Sequence, residues 1–309
     1  MMPFRVSAQT AWLTLADPLP LESGQVLPDV RVAFRTWGRL SAQGDNAVIV
    51  CHALTGSADA DAWWSELFGA GKVLDPERDF IVCSNVLGGC YGTSGPTSLA
   101  PDGQRWGARF PDVTIRDQVR LQMRLADHLG IRSIRFVIGG SMGGLAALEW
   151  ALMDAERVQA VVSIAASGRH SAWCMAWSEA QRLALQADPR FHRGQYLPSE
   201  PPVRGLAAAR AAAMISYRSP VSLEGRFGRA SAHEVFAEQT RAPDDLAVRD
   251  WLRHHGQALA SRFDANSYLA LLNAMDSHDL GRWRGVYENV LKRITQPVLI
   301  GSVISDALY

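Results

Sequence analysis

The chain has 309 residues, 48% of them hydrophobic and 20% charged, with a formal net charge of zero. That length buries an apolar core without disulfides or metal ions, and zero net charge gives no pull toward nucleic acid or an anionic membrane surface. The basic residues are nearly all arginine, with lysine only at Lys72 and Lys292, a bias read as genomic base composition rather than as anion recognition.

In chain order, the opening MMPFRVSAQTAW lacks an apolar run behind basic residues and does not read as a signal peptide. No later stretch has the apolar length to cross a bilayer. Residues 29–38 (DVRVAFRTWG) alternate apolar and polar positions, which predicts a strand with one solvated face. Residues 47–53, 79–86, 133–140 and 158–166 are continuous apolar runs, expected of strands buried on both faces. Between them, residues 114–129 carry a helical stripe of Ile115, Val119, Leu121, Leu125 and Leu129, and residues 145–153 read as a second helix. This rhythm predicts an α/β fold with a mostly parallel central sheet, its first part spanning residues 1–170. Over residues 171–285 the strand runs stop. Ala-rich helical stretches at 204–217 and 264–275, separated by polar loops around 197–203 and 242–245, predict an inserted helical lid. The strand pattern returns once, at 297–303. The four cysteines (Cys51, Cys83, Cys90 and Cys174) form no Cys-x-x-Cys pair, so reduced thiols, a cytoplasmic location and no metal site are expected.

The strongest chemical signal is RFVIGGSMGGLAALEWA, in which Gly139-x-Ser141-x-Gly143 leaves a buried strand and opens a helix. A nucleophile elbow needs this order: the serine sits on a tight strand-to-helix turn, and the helix N-terminus faces charge developing beside it. Earlier, His52-Ala-Leu-Thr-Gly-Ser57 follows another strand, where such folds keep their second oxyanion donor. The backbone N–H groups of Leu54 and Met142 are therefore expected to form the oxyanion hole. His52 reads as a loop support in preference to a catalytic residue. The glycine-dense SNVLGGCYGTSGPTS (84–98) ends a further strand at the same edge of the sheet.

Together HALTGS, WWSELFGAGKVLD, NVLGGCYGTSGPTS, FPDVTIRDQVR and GGSMGG resemble the homoserine O-acetyltransferase family of α/β-hydrolases. The likeness continues through GLAAARAAAMISYR, SYLALLNAMDSHDLGR and GSVISDALY, and so covers nearly the whole chain. The resemblance implies a ping-pong acyl transfer in the cytoplasm: acetyl-CoA acylates Ser141, and L-homoserine accepts the group, with no cofactor beyond these substrates. It also implies a homodimer and a place in methionine biosynthesis. By the same resemblance Asp306 matches the triad aspartate, and Arg210 matches the arginine that binds the acceptor's carboxylate. Tyr217 lies two helical turns beyond Arg210, on the same face. Arg218 and His278 fall in family-like motifs and are expected to be structural. Succinyl transfer and a serine acceptor remain open, as do an esterase and a non-enzymatic binding role.

The family's general base is a histidine in a Gly-His-Asp segment some tens of residues after the aspartate. None of the eight histidines (His52, His128, His170, His192, His233, His254, His255 and His278) matches it. The expectation is a truncated chain in which residues 286–309 return to a core that lacks its C-terminal part.

Overall fold

The computed structural model describes Phe4, residues 6–230 and residues 246–309. His233 and the expected loop at 242–245 lie outside the described residues. The main sheet has seven strands in the order β1-β4-β6-β5-β7-β8-β9. These are β1 (Ala11–Thr14), β4 (Arg31–Trp37), β5 (Ala47–Cys51), β6 (Phe80–Ser84), β7 (Ile134–Gly140), β8 (Val161–Ile164) and β9 (Val298–Gly301). A small hairpin of β2 (Leu19–Pro20) and β3 (Val26–Leu27) stands apart. From β6 to β9 all neighbours are parallel, whereas β4 and β1 run antiparallel. This is the α/β core with a mostly parallel sheet expected from the apolar runs. β5 and β6 are buried at every position, as strands covered on both faces must be.

Chain order fixes where a site forms. From β5 the chain passes to β6 on one side, then returns to β7 on the other. Connections therefore diverge at the carboxyl ends of β5 and β7, which opens a crevice there. After β5 comes a short helix α1 (Ala60–Trp63); α2 (Ile115–His128) carries the return from β6 to β7, and α3 (Met142–Met153) leads on from β7 to β8. Helix α2 starts from a capping box in which Thr114 Oγ1 accepts from Asp117 N at 3.2 Å and Asp117 Oδ2 accepts from Thr114 N at 3.1 Å. Helix α3 has no polar face, because nearly all of it is buried.

Under these helices lies a buried ionic cluster. The Arg116 guanidinium, from α2, bonds Glu22 at 2.6 Å and Glu149 of α3 at 3.0 Å. Arg282 returns to Glu22 and Arg284 to Glu149, both at 2.6 Å. Arg116 also donates to the Asp279 carbonyl at 2.9 Å, so the segment after residue 276 is tied to the sheet's helical layer.

Two strands depart from expectation. β4 is buried from Val32 to Arg35, with no solvated face along that run. Arg35 accounts for the misreading: Asp59 and Asp61 pair its guanidinium at 2.9 and 2.6 Å, and it stacks over Trp37. A charged residue counted as solvated is in fact desolvated and paired. The strand expected at 297–303 forms as β9, but it is the outermost strand, with Leu299 and Ile300 more than half exposed.

By internal contacts the described residues up to His170, with Asn266–Ser302, make one compact unit; those of Ser171–Ala265, with Val303–Tyr309, make another. The second unit is helical: α4 (Ala172–Gln186), α5 (Val203–Ser216), α6 (Pro220–Phe227) and α7 (Ala247–Ala260). Its helices approach closely at glycines. A Cβ at Gly205 would stand 2.6 Å from Leu185 O, and one at Gly256 would stand 2.5 Å from Ala207 O. The helix expected over 264–275 forms at Ala265–Asp276 and, from Asn266 onward, belongs to the sheet unit.

Candidate active site

Ser141 follows β7 directly and stands as the N-cap of α3 with φ 55° and ψ −126°. A side-chain-bearing residue held there stores roughly 1–3 kcal/mol of backbone strain. The surrounding chain imposes it. Ser141 N donates to Ile164 O of β8 at 2.9 Å, and Ser141 O accepts from Gly144 N and Leu145 N at 2.7 and 3.1 Å. The flanking glycines are steric requirements. A Cβ at Gly139 would lie 2.1 Å from Gly143 O, and one at Gly143 would lie 2.0 Å from Cys51 O. At Gly144 it would meet Ala166 Cβ at 2.6 Å. The Ser141 hydroxyl bonds no protein group among the described residues and is partly exposed.

The two expected oxyanion donors follow the paired ends of neighbouring strands. Cys51 of β5 pairs with Gly139 of β7, and Leu54 and Met142 each lie three residues beyond. Leu54 occupies the second position of a turn closed by Gly56 N donating to Ala53 O at 2.9 Å, so its own N–H takes no part in the turn bond. Met142 is the first residue of α3, where a helix leaves its N–H free. Neither N–H has a protein acceptor among the described residues, although both residues are buried. Unpaired backbone N–H groups on buried residues are uncommon in folded proteins, and two of them past the ends of neighbouring strands could receive an oxygen anion.

His52 is sealed behind this turn. Its Nδ1 lies 2.8 Å from Ala53 O, and its Nε2 accepts from Val86 N at 3.2 Å. Burial pulls its pKa down to about 4, so the ring is neutral. With both nitrogens occupied it has no free lone pair for proton abstraction. His278 is likewise buried, and burial lowers its pKa to about 3. Burial pushes the Cys51 thiol up to about 12 and moves Cys83 in the same direction, so neither supplies a thiolate.

Residues outside the sequence reading complete the setting. Ser163 of β8, fully buried, donates from Oγ to Gly144 O at 3.2 Å and steadies the first turn of α3. Asn85, just past β6, accepts from Ala58 N at 2.8 Å. The available signal was a polar residue inside or ending an apolar run, VVSI in one case and IVCSN in the other.

The remaining sequence-selected residues lie in the helical unit. The Arg210 guanidinium stands 5.4 Å from the Tyr217 ring centroid, a cation–π contact. Tyr217 is exposed and caps the C-terminus of α5. Asp306 Oδ1 accepts from Leu308 N at 2.7 Å and Tyr309 N at 3.2 Å. The same segment is anchored on α4, where Trp173 Nε1 donates to Ala307 O at 2.6 Å. Among the described residues no group of three His, Cys, Asp or Glu is placed to hold a metal ion, and no helix is long and apolar enough to cross a membrane.

Comparison with known proteins agrees with this fold. A family described as the alpha/beta hydrolase fold matches residues 46–279. The homoserine O-acetyltransferase of Trichormus variabilis is 54% identical, over 98% of this chain and 82% of the relative. That of Nostoc punctiforme is 52% identical, over 98% and 85%. Among solved structures, the homoserine O-acetyltransferase of Staphylococcus aureus superposes with a TM-score of 0.75 at 30% identity, covering 97% of this chain and 81% of that one. Esterase E22 gives a TM-score of 0.81 at 27% identity, covering 94% and 83%.

Proposed function

The chain belongs to the homoserine O-acetyltransferase family of α/β-hydrolases, and on that premise we propose that it moves an acetyl group from acetyl-CoA to the hydroxyl of L-homoserine through an acyl-enzyme on Ser141. Ser141 Oγ attacks the thioester carbonyl. The resulting oxyanion is held by the N–H groups of Leu54 and Met142 until CoA leaves as its thiol. The homoserine hydroxyl then attacks the acyl-serine through a second tetrahedral intermediate, again held by the two N–H groups, and Ser141 is restored. Arg210 would bind the acceptor's carboxylate through its planar fork, with Tyr217 holding the guanidinium in place by the stacking contact. Asp306 takes the role of the triad aspartate. His52 and His278 are both sealed in, and none of the eight histidines stands in a Gly-His-Asp segment, so these residues assign nucleophile and donors but no base. No cofactor enters this chemistry.

The observation that carries the reading is a strained serine at a strand-to-helix turn, together with two N–H groups, of Leu54 and Met142, that have no protein acceptor among the described residues and lie three residues past the paired positions Cys51 and Gly139. The structural likeness to esterase E22 favours one second reading, transfer of the acyl group to water. Mass spectrometry after mixing with acetyl-CoA should show one acetyl adduct, on the peptide holding Ser141 and absent in Ser141→Ala. Added L-homoserine should discharge it as O-acetylhomoserine; discharge to acetate at the same rate with and without homoserine would support the esterase. An adduct that survives Ser141→Ala would remove Ser141 as nucleophile.

A further inference from the structure

We propose that His52 is a positioning residue: with its proton on Nδ1, it fixes the direction in which the Leu54 N–H points. The inference rests on the reading of Leu54 as an oxyanion donor. It uses the roles of the groups around the ring. Val86 N–H can only donate, so Nε2, 3.2 Å away, must be the lone-pair nitrogen. Ala53 O can only accept, so Nδ1, at 2.8 Å, must carry the proton. Two backbone groups of fixed polarity therefore define the tautomer.

The consequence follows from peptide geometry. Ala53 C=O and Leu54 N–H belong to one planar, trans peptide unit, so the oxygen and the hydrogen point in opposite directions. His52 Nδ1 and Gly56 N both converge on Ala53 O. Holding that oxygen against the ring turns the Leu54 N–H away from it, and no protein acceptor takes the N–H up. The other ring nitrogen fastens the turn to the loop after β6, and Asn85 Oδ1 returns a second bond to Ala58 N of the same turn region. Space is fitted to the ring as well: a Cβ at Gly56 would stand 3.0 Å from His52 Cβ and 3.1 Å from Nδ1. The start of α3, which carries Met142, rests on the same backbone, since Gly143 closely approaches Cys51 O and His52 O. Both donors are thus referenced to residues 51–52.

Three variants separate the two ring bonds. His52→Asn offers an amide N–H near the Nδ1 position, His52→Gln offers an amide oxygen near the Nε2 position, and His52→Ala offers neither. In uniformly labelled protein at pH 7, nitrogen NMR should show His52 protonated on Nδ1, with a through-hydrogen-bond coupling between Nε2 and Val86 N. The residual dipolar coupling of the Leu54 N–H reports its direction without turnover. It should change in Ala and Gln and return toward the original value in Asn, while the couplings of β5 stay fixed. The rate of Ser141 acetylation by acetyl-CoA should follow the same ranking, falling roughly 10–100-fold in Ala with donor affinity unchanged. A proton on Nε2, or a Leu54 N–H direction unaltered in folded His52→Ala, would overturn the proposal. So would an altered direction with an unaltered acetylation rate. Acetylation that persists in Ser141→Ala would instead sink the nucleophile reading and leave the tautomer and the dipolar couplings standing.

Discussion

Adding one methyl group at Gly143 should separate the elbow's steric demand from its chemistry. In Gly143→Ala the new Cβ would lie 2.0 Å from Cys51 O, 2.7 Å from Cys51 C and 3.1 Å from His52 O. All three are backbone atoms at the end of a buried central strand, so no flexible side chain can yield. Restoring an ordinary contact requires a displacement of roughly 1 Å, and overpacking of this kind costs about 1–3 kcal/mol of stability. The shift would fall on the first turn of α3, which carries Met142, and on the turn that carries Leu54. Misplacement of a reacting group by about 1 Å costs on the order of 100-fold in rate, or about 2.7 kcal/mol of activation free energy. The control is Gly140→Ala, where the added Cβ meets nothing nearer than 3.8 Å. Urea unfolding gives the stability change, and single-turnover acetylation of Ser141, followed by mass spectrometry, gives the rate. Gly143→Ala acetylating as fast as the parent, or Gly140→Ala failing as badly, would refute the steric reasoning.

Arg210→Ala should raise the acceptor's KM about 10–100-fold, the worth of a charged hydrogen bond, with little change for the donor; equal effects on both would remove the carboxylate assignment. Arg116→Ala leaves Glu22 and Glu149 buried, each with one arginine partner remaining. It should cost roughly 3 kcal/mol, near the low end for a broken buried pair, and a loss under about 1 kcal/mol would show the cluster to be dispensable. His52 and His278 stay neutral in the fold down to about pH 4 and 3, whereas unfolded histidine takes a proton near about pH 6.5. The unfolded state then binds more protons below pH ~6.5, so stability should fall on acidification from about pH 6.5 to 5. Each histidine contributes up to roughly 1.4 kcal/mol per pH unit. His278→Gln should make that slope shallower, and an unchanged slope would mean that this ring is not held neutral.

The sequence alone determined the fold class and marked the serine that we propose as nucleophile. Four apolar runs with helical stripes between them specify a parallel sheet, because strands covered on both faces admit few polar residues. Gly139-x-Ser141-x-Gly143 is legible because only glycine fits where an added Cβ would stand 2.0–2.1 Å from neighbouring backbone oxygens. The motifs of the family were equally plain. Pattern could not show what becomes of a charge. Arg35 reads as solvated and is paired beneath Asp59 and Asp61; Arg116 reads as one more helix arginine and holds together Glu22, Glu149 and the Asp279 carbonyl. Those outcomes depend on partners up to 163 residues away in the chain, which no local window contains. The same holds for His52. One of its two ring partners is Val86, 34 residues on, and only the pairing of β5 with β6 brings that N–H to the ring.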